Sequence, residues 1–158
     1  MNNFTASNCT VLLLRNAKSY NDILPSMLRE IGITKIYDVL DVEMAMNELE
    51  EKQFDFIIYD NYRAVTSDVE VITFLRNNET SVNQTTPIIV LSEEGSRNKV
   101  IKAASLGCDA FLIKPFSIIG LKTRFDQILQ GNRQSYNAWL KAKSEQTEEV
   151  DEADIVEL

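Results

Sequence analysis

Five short apolar runs, each followed by a helical pattern, constrain the fold of this chain more than any other feature of its sequence. The runs lack polar–apolar alternation, as expected of strands covered on both faces of a parallel sheet. The segments between them carry apolar residues at the three- and four-residue spacing of amphipathic helices. We therefore predict an α/β domain of five parallel strands and five helices. The predicted strands are Val11–Leu14, Lys35–Leu40, Phe54–Tyr59, Ile88–Leu91 and Ala110–Ile113.

The number of strand–helix units also suggests how the strands are ordered. For five such units we expect a flavodoxin-like, doubly wound sheet with the order 2-1-3-4-5 and right-handed crossovers. Functional groups then lie at the carboxyl ends of the strands, near the point where the order reverses. Gly32 is placed to end the first helix. Pro25 fits the first turn of that helix if Asn21 or Asp22 caps it, and a kink is the alternative.

The charges divide the chain into a nearly neutral body and an acidic segment. The formal net charge is −8, and residues 144–158 hold seven acids and no base. The other 143 residues hold seventeen acids and sixteen bases. We expect a flexible N-terminus over residues 1–9, one domain over 10–131, a short additional helix over 132–143, and an acidic, disordered segment over 144–158.

The acidic segment has a second interpretation. Its last residues set apolar side chains among acids, which also suits a short motif that docks into a groove of a partner. These apolar residues are Ile155, Val156 and Leu158.

The composition excludes several classes of function. Because the sequence has no histidine, it cannot form a Ser-His-Asp triad or supply histidine metal ligands. Cys9 and Cys108 lack the spacing of a metal or redox motif, so we expect two reduced thiols, the first near a flexible end. No apolar run approaches the ~20 residues that span a membrane. The N-terminus lacks the features of a secretory signal, which favours the cytoplasm, and the neutral body predicts no nucleic-acid partner.

Polar residues follow four of the predicted strands. Arg15 and Asn16 come after the first, Asp60 after the third, Ser92 at the end of the fourth, and Lys114 after the fifth. Parallel strands bring their carboxyl ends to one edge of the sheet, so we expect these side chains to meet. A carboxylate there can attack phosphorus, while a hydroxyl and an ammonium hold the phosphoryl oxygens. The pattern predicts a phosphoryl site.

The motifs around these residues resemble a known family. Asp60 follows FDFIIY, Ser92 ends PIIVLS, and Lys114 precedes a proline in GCDAFLIKPFS. Together they resemble the receiver domains of bacterial two-component response regulators, with the architecture of the single-domain chemotaxis regulator. The resemblance implies that Asp60 is the phosphoacceptor and that Ser92 and Lys114 contact the phosphoryl group. It also implies that Phe111 is the rotating aromatic switch and that Pro115 follows a cis peptide bond.

The sequence departs from the family at the metal site. Receiver domains end their first strand in two acids that bind Mg²⁺, and Arg15 and Asn16 stand in those places. An arginine has no acceptor atom for a cation, and an asparagine offers one weak oxygen. Mg²⁺ could then bind only weakly, through Asp60 and Asn16. We therefore expect the protein to use no cofactor. We also expect Arg15 to pair with Asp60, together with Lys114, in place of the metal.

Two further departures concern the loops around the site. Glu93 stands where the family has a small residue, and its carboxylate is expected to block access of a phosphoryl group. The loop over residues 61–68 lacks the family's Met-Pro and glycine. Tyr62 stands where an aspartate-nucleophile phosphatase needs its second acid, so we predict no enzyme activity.

We therefore expect an atypical single-domain receiver that acts in a phosphorelay through protein–protein contact, at the face formed by helix 4, strand 5 and helix 5. Its partners would be signalling proteins, including a sensor histidine kinase, and neither nucleic acid nor membrane. The alternative is a conventional receiver that accepts a phosphoryl group on Asp60, with a weakened Mg²⁺ site. A flavin-binding electron carrier is a remote one, because residues 15–20 contain no glycine for a phosphate loop. The oligomeric state stays open, with a dimer among the options.

Overall fold

Strands and helices alternate along the domain, as the sequence predicts. The structure, a computed structural model, describes residues 8–15, 23–60 and 66–131. The strands are β1 (Thr10–Leu14), β2 (Lys35–Val39), β3 (Phe56–Tyr59), β4 (Ile88–Ser92) and β5 (Ala110–Ile113). The helices are α1 (Ile23–Ile31), α2 (Val42–Glu51), α3 (Thr66–Asn77), α4 (Arg97–Leu106) and α5 (Ile118–Leu129).

The five strands form one parallel sheet in the order β2-β1-β3-β4-β5, which confirms the predicted flavodoxin-like topology. Two apolar layers cover its faces. Because side chains alternate along a strand, Leu12 and Leu14 of β1 join one layer and Val11 and Leu13 join the other. The first layer includes apolar residues of α2, α3 and α4, and the second includes those of α1 and α5.

The edge strand β2 departs from the prediction of strands covered on both faces. Only Val39 of its five residues is buried, and Tyr37 and Asp38 are exposed. An edge strand has a neighbour on one side only, so polar side chains are tolerated there. Tyr37 also stacks edge-to-face on Phe54, with the Lys52 ammonium 4.4 Å from the Tyr37 ring centroid.

Both thiols are buried, which corrects the expectation for Cys9. The sequence suggested that Cys9 belongs to a flexible N-terminus, but it packs in the layer with Val11 because it directly precedes β1. Burial raises the pKa of Cys9 to about 12, with Asp55 adding to the effect. Burial also raises the pKa of Cys108 to about 12. Neither thiol is a reactive nucleophile near neutral pH.

Local signals fix the helix ends that position the loops. Asp41 caps α2 by accepting a hydrogen bond from the Glu43 amide at 2.6 Å. Ser96 and Ser117 cap α4 and α5 in the same way. Pro25 is the third residue of α1, in its first turn as predicted. The suggested caps for α1, Asn21 and Asp22, lie outside the described residues, as do the segments over 132–143 and 144–158.

A buried ion pair ties the helices to the amino-terminal edge of the sheet. Arg76, at the end of α3, and Asp109, just before β5, have fully buried side chains 3.1 Å apart. The guanidinium also donates to the carbonyls of Gly107 (3.0 Å) and Gln84 (2.7 Å), and Asp109 accepts from the Ile88 amide (3.0 Å). This network lies at the opposite end of the strands from Asp60 and Lys114. Within the described ranges, no helix is long and apolar enough to cross a bilayer.

Candidate functional site

The backbone of the sheet places the predicted site residues in one row. Hydrogen bonds continue past the strand ends, from the Arg15 amide to the Val39 carbonyl, from Asp60 to Leu14, and from Lys114 to Ser92. The parallel register therefore holds Arg15, Asp60, Ser92 and Lys114 at the carboxyl edge of β1, β3, β4 and β5. The structure brings these four predicted residues to the same edge, while Asn16 and Tyr62 lie outside the described residues.

Lys114 forms an ion pair with Asp60, with its ammonium nitrogen 2.6 Å from Asp60 Oδ1. The Asp60 side chain is 4% exposed and that of Lys114 is 25% exposed. Oδ1 is buried and has no donor in hydrogen-bond geometry among the described residues, so the contact is an ionic one with poor angles. The peptide bond that follows, Lys114–Pro115, is cis, as the family resemblance implies.

Arg15 pairs with Asp38 of β2, not with Asp60 as we expected. Its Nε donates to Asp38 Oδ1 at 2.8 Å and a second guanidinium nitrogen contacts Asp38 Oδ2, which makes the pair bidentate. The register explains the choice. Asp38 is paired with Leu13, so its side chain and that of Arg15 lie on the same face of adjacent strands. Lys114 already neutralises Asp60.

Asp38 was missed at the sequence level, although a signal was present. It is the one acid inside a run otherwise rich in β-branched and aromatic residues, and a carboxylate within a strand calls for a partner. With it, charges alternate along the edge from β2 to β5: negative Asp38, positive Arg15, negative Asp60, positive Lys114. We call these four residues the charge ladder. Its formal charge sums to zero.

The Ser92 hydroxyl is engaged in the turn that follows β4. It donates to the Glu94 carbonyl at 2.9 Å and accepts from the Glu94 amide at 3.3 Å. The side chain of Glu94 forms a pair with Lys99 at 2.6 Å, and the hydrogen bond from Lys99 lowers the pKa of Glu94. Glu93, expected to block access to the site, is exposed beside this turn. Whether it blocks a phosphoryl group stays a prediction.

Phe111 lies on the opposite side of β5 from the buried Leu112. It is half-buried and packs against the apolar layer that includes residues of α2, α3 and α4. Two residues further on, Ile113 is exposed and packs closely against the backbone of Gly95. A Cβ at position 95 would lie only 2.0 Å from Ile113 Cδ1, so a larger residue would displace that side chain. That Phe111 acts as a rotating switch stays a prediction.

The described residues do not fit a magnesium site. Mg²⁺ requires several oxygen ligands in near-octahedral geometry. Within residues 8–15, 23–60 and 66–131, no group of three or more His, Cys, Asp or Glu is placed to hold a metal ion. The end of β1 presents the Arg15 guanidinium, which offers no acceptor. A weak contribution from Asn16, which lies outside the described residues, stays a prediction.

Comparison with known proteins gives the same assignment as the geometry. The family model for the response regulator receiver domain matches residues 11–126. Chemotaxis protein CheY-3 of Vibrio cholerae is 24% identical over 123 residues, which cover 78% of this chain and 93% of that protein. Chemotaxis protein CheY of Pseudomonas aeruginosa is 23% identical over 120 residues, 76% of this chain and 95% of that protein.

Solved structures share the architecture. The receiver domain of the Francisella response regulator 1452 is 26% identical, with a TM-score of 0.66 over 79% of this chain and 99% of that one. The chemotaxis response regulator CheY4 of Vibrio cholerae is 23% identical, with a TM-score of 0.64 over 76% and 98% of the two chains. From the sheet order, the strand-end row and the match over residues 11–126, the chain belongs to the response regulator receiver domain family of two-component signalling.

Proposed function

We propose that this chain is an atypical receiver, whose phosphoacceptor position is charge-balanced without Mg²⁺ and which signals through protein–protein contact. The observation that carries the proposal is the charge ladder. Lys114 pairs with Asp60, and Arg15 is held by Asp38 in the place where the family has a metal-binding acid.

Electrostatics explains why this arrangement opposes Mg²⁺. Mg²⁺ keeps several of its waters in a protein site and is held by one or two carboxylates, so it binds where carboxylates are not already neutralised by cations. The ladder offers two carboxylates already neutralised by two cations. Bringing in Mg²⁺ would require breaking at least one ion pair in which one member, Arg15 or Asp60, is buried, and it would set the metal beside the positive Arg15.

A surface for the proposed contact lies on α4, β5 and α5. Phe111 is half-buried there, Ile113 is 47% exposed and Ile119 is 78% exposed. Exposed apolar side chains rimmed by polar residues are typical of protein interaction surfaces. We propose that signalling partners, a sensor histidine kinase among them, engage this face.

A conventional phosphorylated receiver is the second candidate, and the edge of the sheet favours it in one respect. Asp60, Ser92 and Lys114 occupy one edge, so a nucleophile, a hydroxyl and an ammonium are available for phosphoryl transfer. In this case a phosphoryl group on Asp60 shifts the contact surface as a two-state equilibrium.

Incubation with acetyl phosphate and Mg²⁺, followed by intact mass measurement, separates the two candidates. We expect the wild-type mass to stay unchanged, while an ordinary receiver assayed in parallel gains about 80 Da, one phosphoryl group. A gain that Asp60→Asn abolishes and Asp126→Asn preserves would establish the conventional receiver and overturn the proposal. Asp126 is a suitable control because it is an exposed carboxylate on α5.

A further inference from the structure

Charge is distributed unevenly over the described part of the domain. Residues 8–15, 23–60 and 66–91 hold twelve acids and five bases, whereas residues 92–131 hold four acids and six bases. The last range comprises the end of β4 and the whole of α4, β5 and α5. An acidic segment is therefore repelled by most of the domain and attracted to this one side.

The same side also carries exposed apolar residues. Ile113 ends β5 and Ile119 lies in the first turn of α5, so both are near the carboxyl edge of the sheet. Exposed cations come from the start of α4 and the first half of α5. We define the β5-edge surface by these residues: Arg97, Ile113, Ile119, Lys122 and Arg124.

A second group of exposed apolar residues, around Met44 on α2, makes a useful contrast. Met44 is 58% exposed and, like Ile113 and Ile119, is apolar. However, α2 carries four acids and no base. Hydrophobicity alone does not distinguish the two surfaces for an acidic ligand. Charge does, because like charges brought close together are repelled.

We propose that residues 144–158 of the same chain bind the β5-edge surface. The segment carries seven acids and no base, which complements the basic side, and its apolar residues suit the exposed Ile113 and Ile119. Those apolar residues are Ile155, Val156 and Leu158. The proposal deepens the proposed function, because it gives the partner-binding face an intramolecular competitor.

The chain length between the domain and this segment permits the contact. The twelve residues of α5 extend about 18 Å from the first turn of the helix to its end. The twelve residues 132–143 span between about 18 Å in helical form and about 40 Å when extended. Either length is sufficient for residue 144 to reach the level of Ile119.

Paramagnetic relaxation enhancement in the full chain tests the proposal. A spin label is attached through Glu157→Cys, and the buried Cys9 and Cys108, with their pKa values raised to about 12, stay unlabelled. We expect broadening of the Ile113 and Ile119 amide signals and none at Met44. The broadening should be unchanged on dilution and should disappear in ~1 M NaCl, where the screening length falls to about 3 Å.

Matched variants identify the surface that is bound. Ile119→Ser and Arg124→Gln should each reduce the broadening at Ile113 at least twofold, while Met44→Ser should leave it unchanged. Broadening at Met44 in place of Ile113, or confined to residues 132–143, would overturn the proposal. Concentration-dependent broadening would also overturn it, because the contact would then join two copies. None of these results depends on whether Asp60 accepts a phosphoryl group.

Discussion

Lys114, at the end of β5, reaches past β4 to Asp60, at the end of β3, and places its ammonium 2.6 Å from Oδ1. Two strands that are not neighbours are thereby joined by one contact. Since the aspartate is almost fully buried, removing the lysine leaves a charge without a counter-ion in a poorly solvated place.

We expect Lys114→Met to lower the free energy of unfolding by about 2–3 kcal/mol, somewhat less than for a fully buried pair because a quarter of the Lys114 side chain is exposed. Urea unfolding measures the change. The double variant with Asp60→Asn should recover part of the loss, because the uncompensated charge is gone. Lys122→Met, which breaks an exposed pair with Asp126, is the control and should cost about 0.5 kcal/mol or less. Equal losses for Lys114→Met and Lys122→Met would contradict the importance of the pair.

Arg15→Asp should create Mg²⁺ affinity that, under the proposed function, the wild type lacks. The substitution removes the cation from the charge ladder and adds a carboxylate beside Asp60, giving three acids at one edge with Asp38. Without Mg²⁺, the variant should have a lower melting temperature than the wild type, because its three carboxylates repel one another. With Mg²⁺ at about ten times its Kd, it should rise by about 3–6 °C, since binding then contributes about 1.4 kcal/mol.

Lys35→Asp makes the same change of charge at the start of β2, at the opposite end of the strands from Asp60, where it should produce no Mg²⁺ response. The melting temperature of each variant is measured as Mg²⁺ is added in the absence of Ca²⁺, and the two variants are compared. A wild-type protein that is itself stabilised to the same extent by Mg²⁺ would show that Arg15 does not prevent metal binding.

The buried pair of Arg76 and Asp109 should dominate the stability of the α3–α4 side. Arg76→Met leaves Asp109 charged and buried and removes two hydrogen bonds to carbonyls, so we expect a loss of about 3–5 kcal/mol. Asp109→Asn in the Arg76→Met background should restore part of it. Arg124→Met is the control, because it replaces an exposed arginine by the same residue. It should change the free energy of unfolding by less than about 0.5 kcal/mol. A loss for Arg76→Met as small as for Arg124→Met would refute the network's role.

The two thiols should make the domain less stable at alkaline pH. Because the folded pKa of Cys108 is raised from 9.0 to about 12, the folded state retains a proton that the unfolded state loses. Stability from this group is complete below pH 9 and is lost as the pH rises towards 12. Cys108→Ala should therefore flatten the fall of melting temperature between pH 9 and pH 11, although it lowers the melting temperature at pH 7 through the cavity it leaves. Parallel curves for the two proteins would contradict the assignment.

The sequence predicted the sheet well because that prediction depends on local patterns. Uninterrupted apolar runs predict buried strands such as β3 and β4. Glycines predict helix ends, as at Gly107, which ends α4 with a positive φ of 107°. The parallel arrangement then brings Asp60 and Lys114 to one edge by topology alone.

What the sequence did not predict depends on side-chain choices between equivalent neighbours. Arg15 has a carboxylate on each adjacent strand, and only the three-dimensional arrangement shows that Asp38 receives it while Lys114 takes Asp60. The pairing of Arg76 with Asp109 joins residues 33 positions apart, and nothing in either local pattern indicates it. Long-range partners of this kind leave no periodic signal.

The alternation of charges along the strand ends also affects how the domain meets its surroundings. Neighbouring opposite charges cancel each other's potential within a few ångströms, and salt screens the remainder beyond about 10 Å at 0.1 M. The four residues of the charge ladder therefore add almost no net field in the solvent, and they give a small phosphate donor or a divalent cation no electrostatic steering of their own.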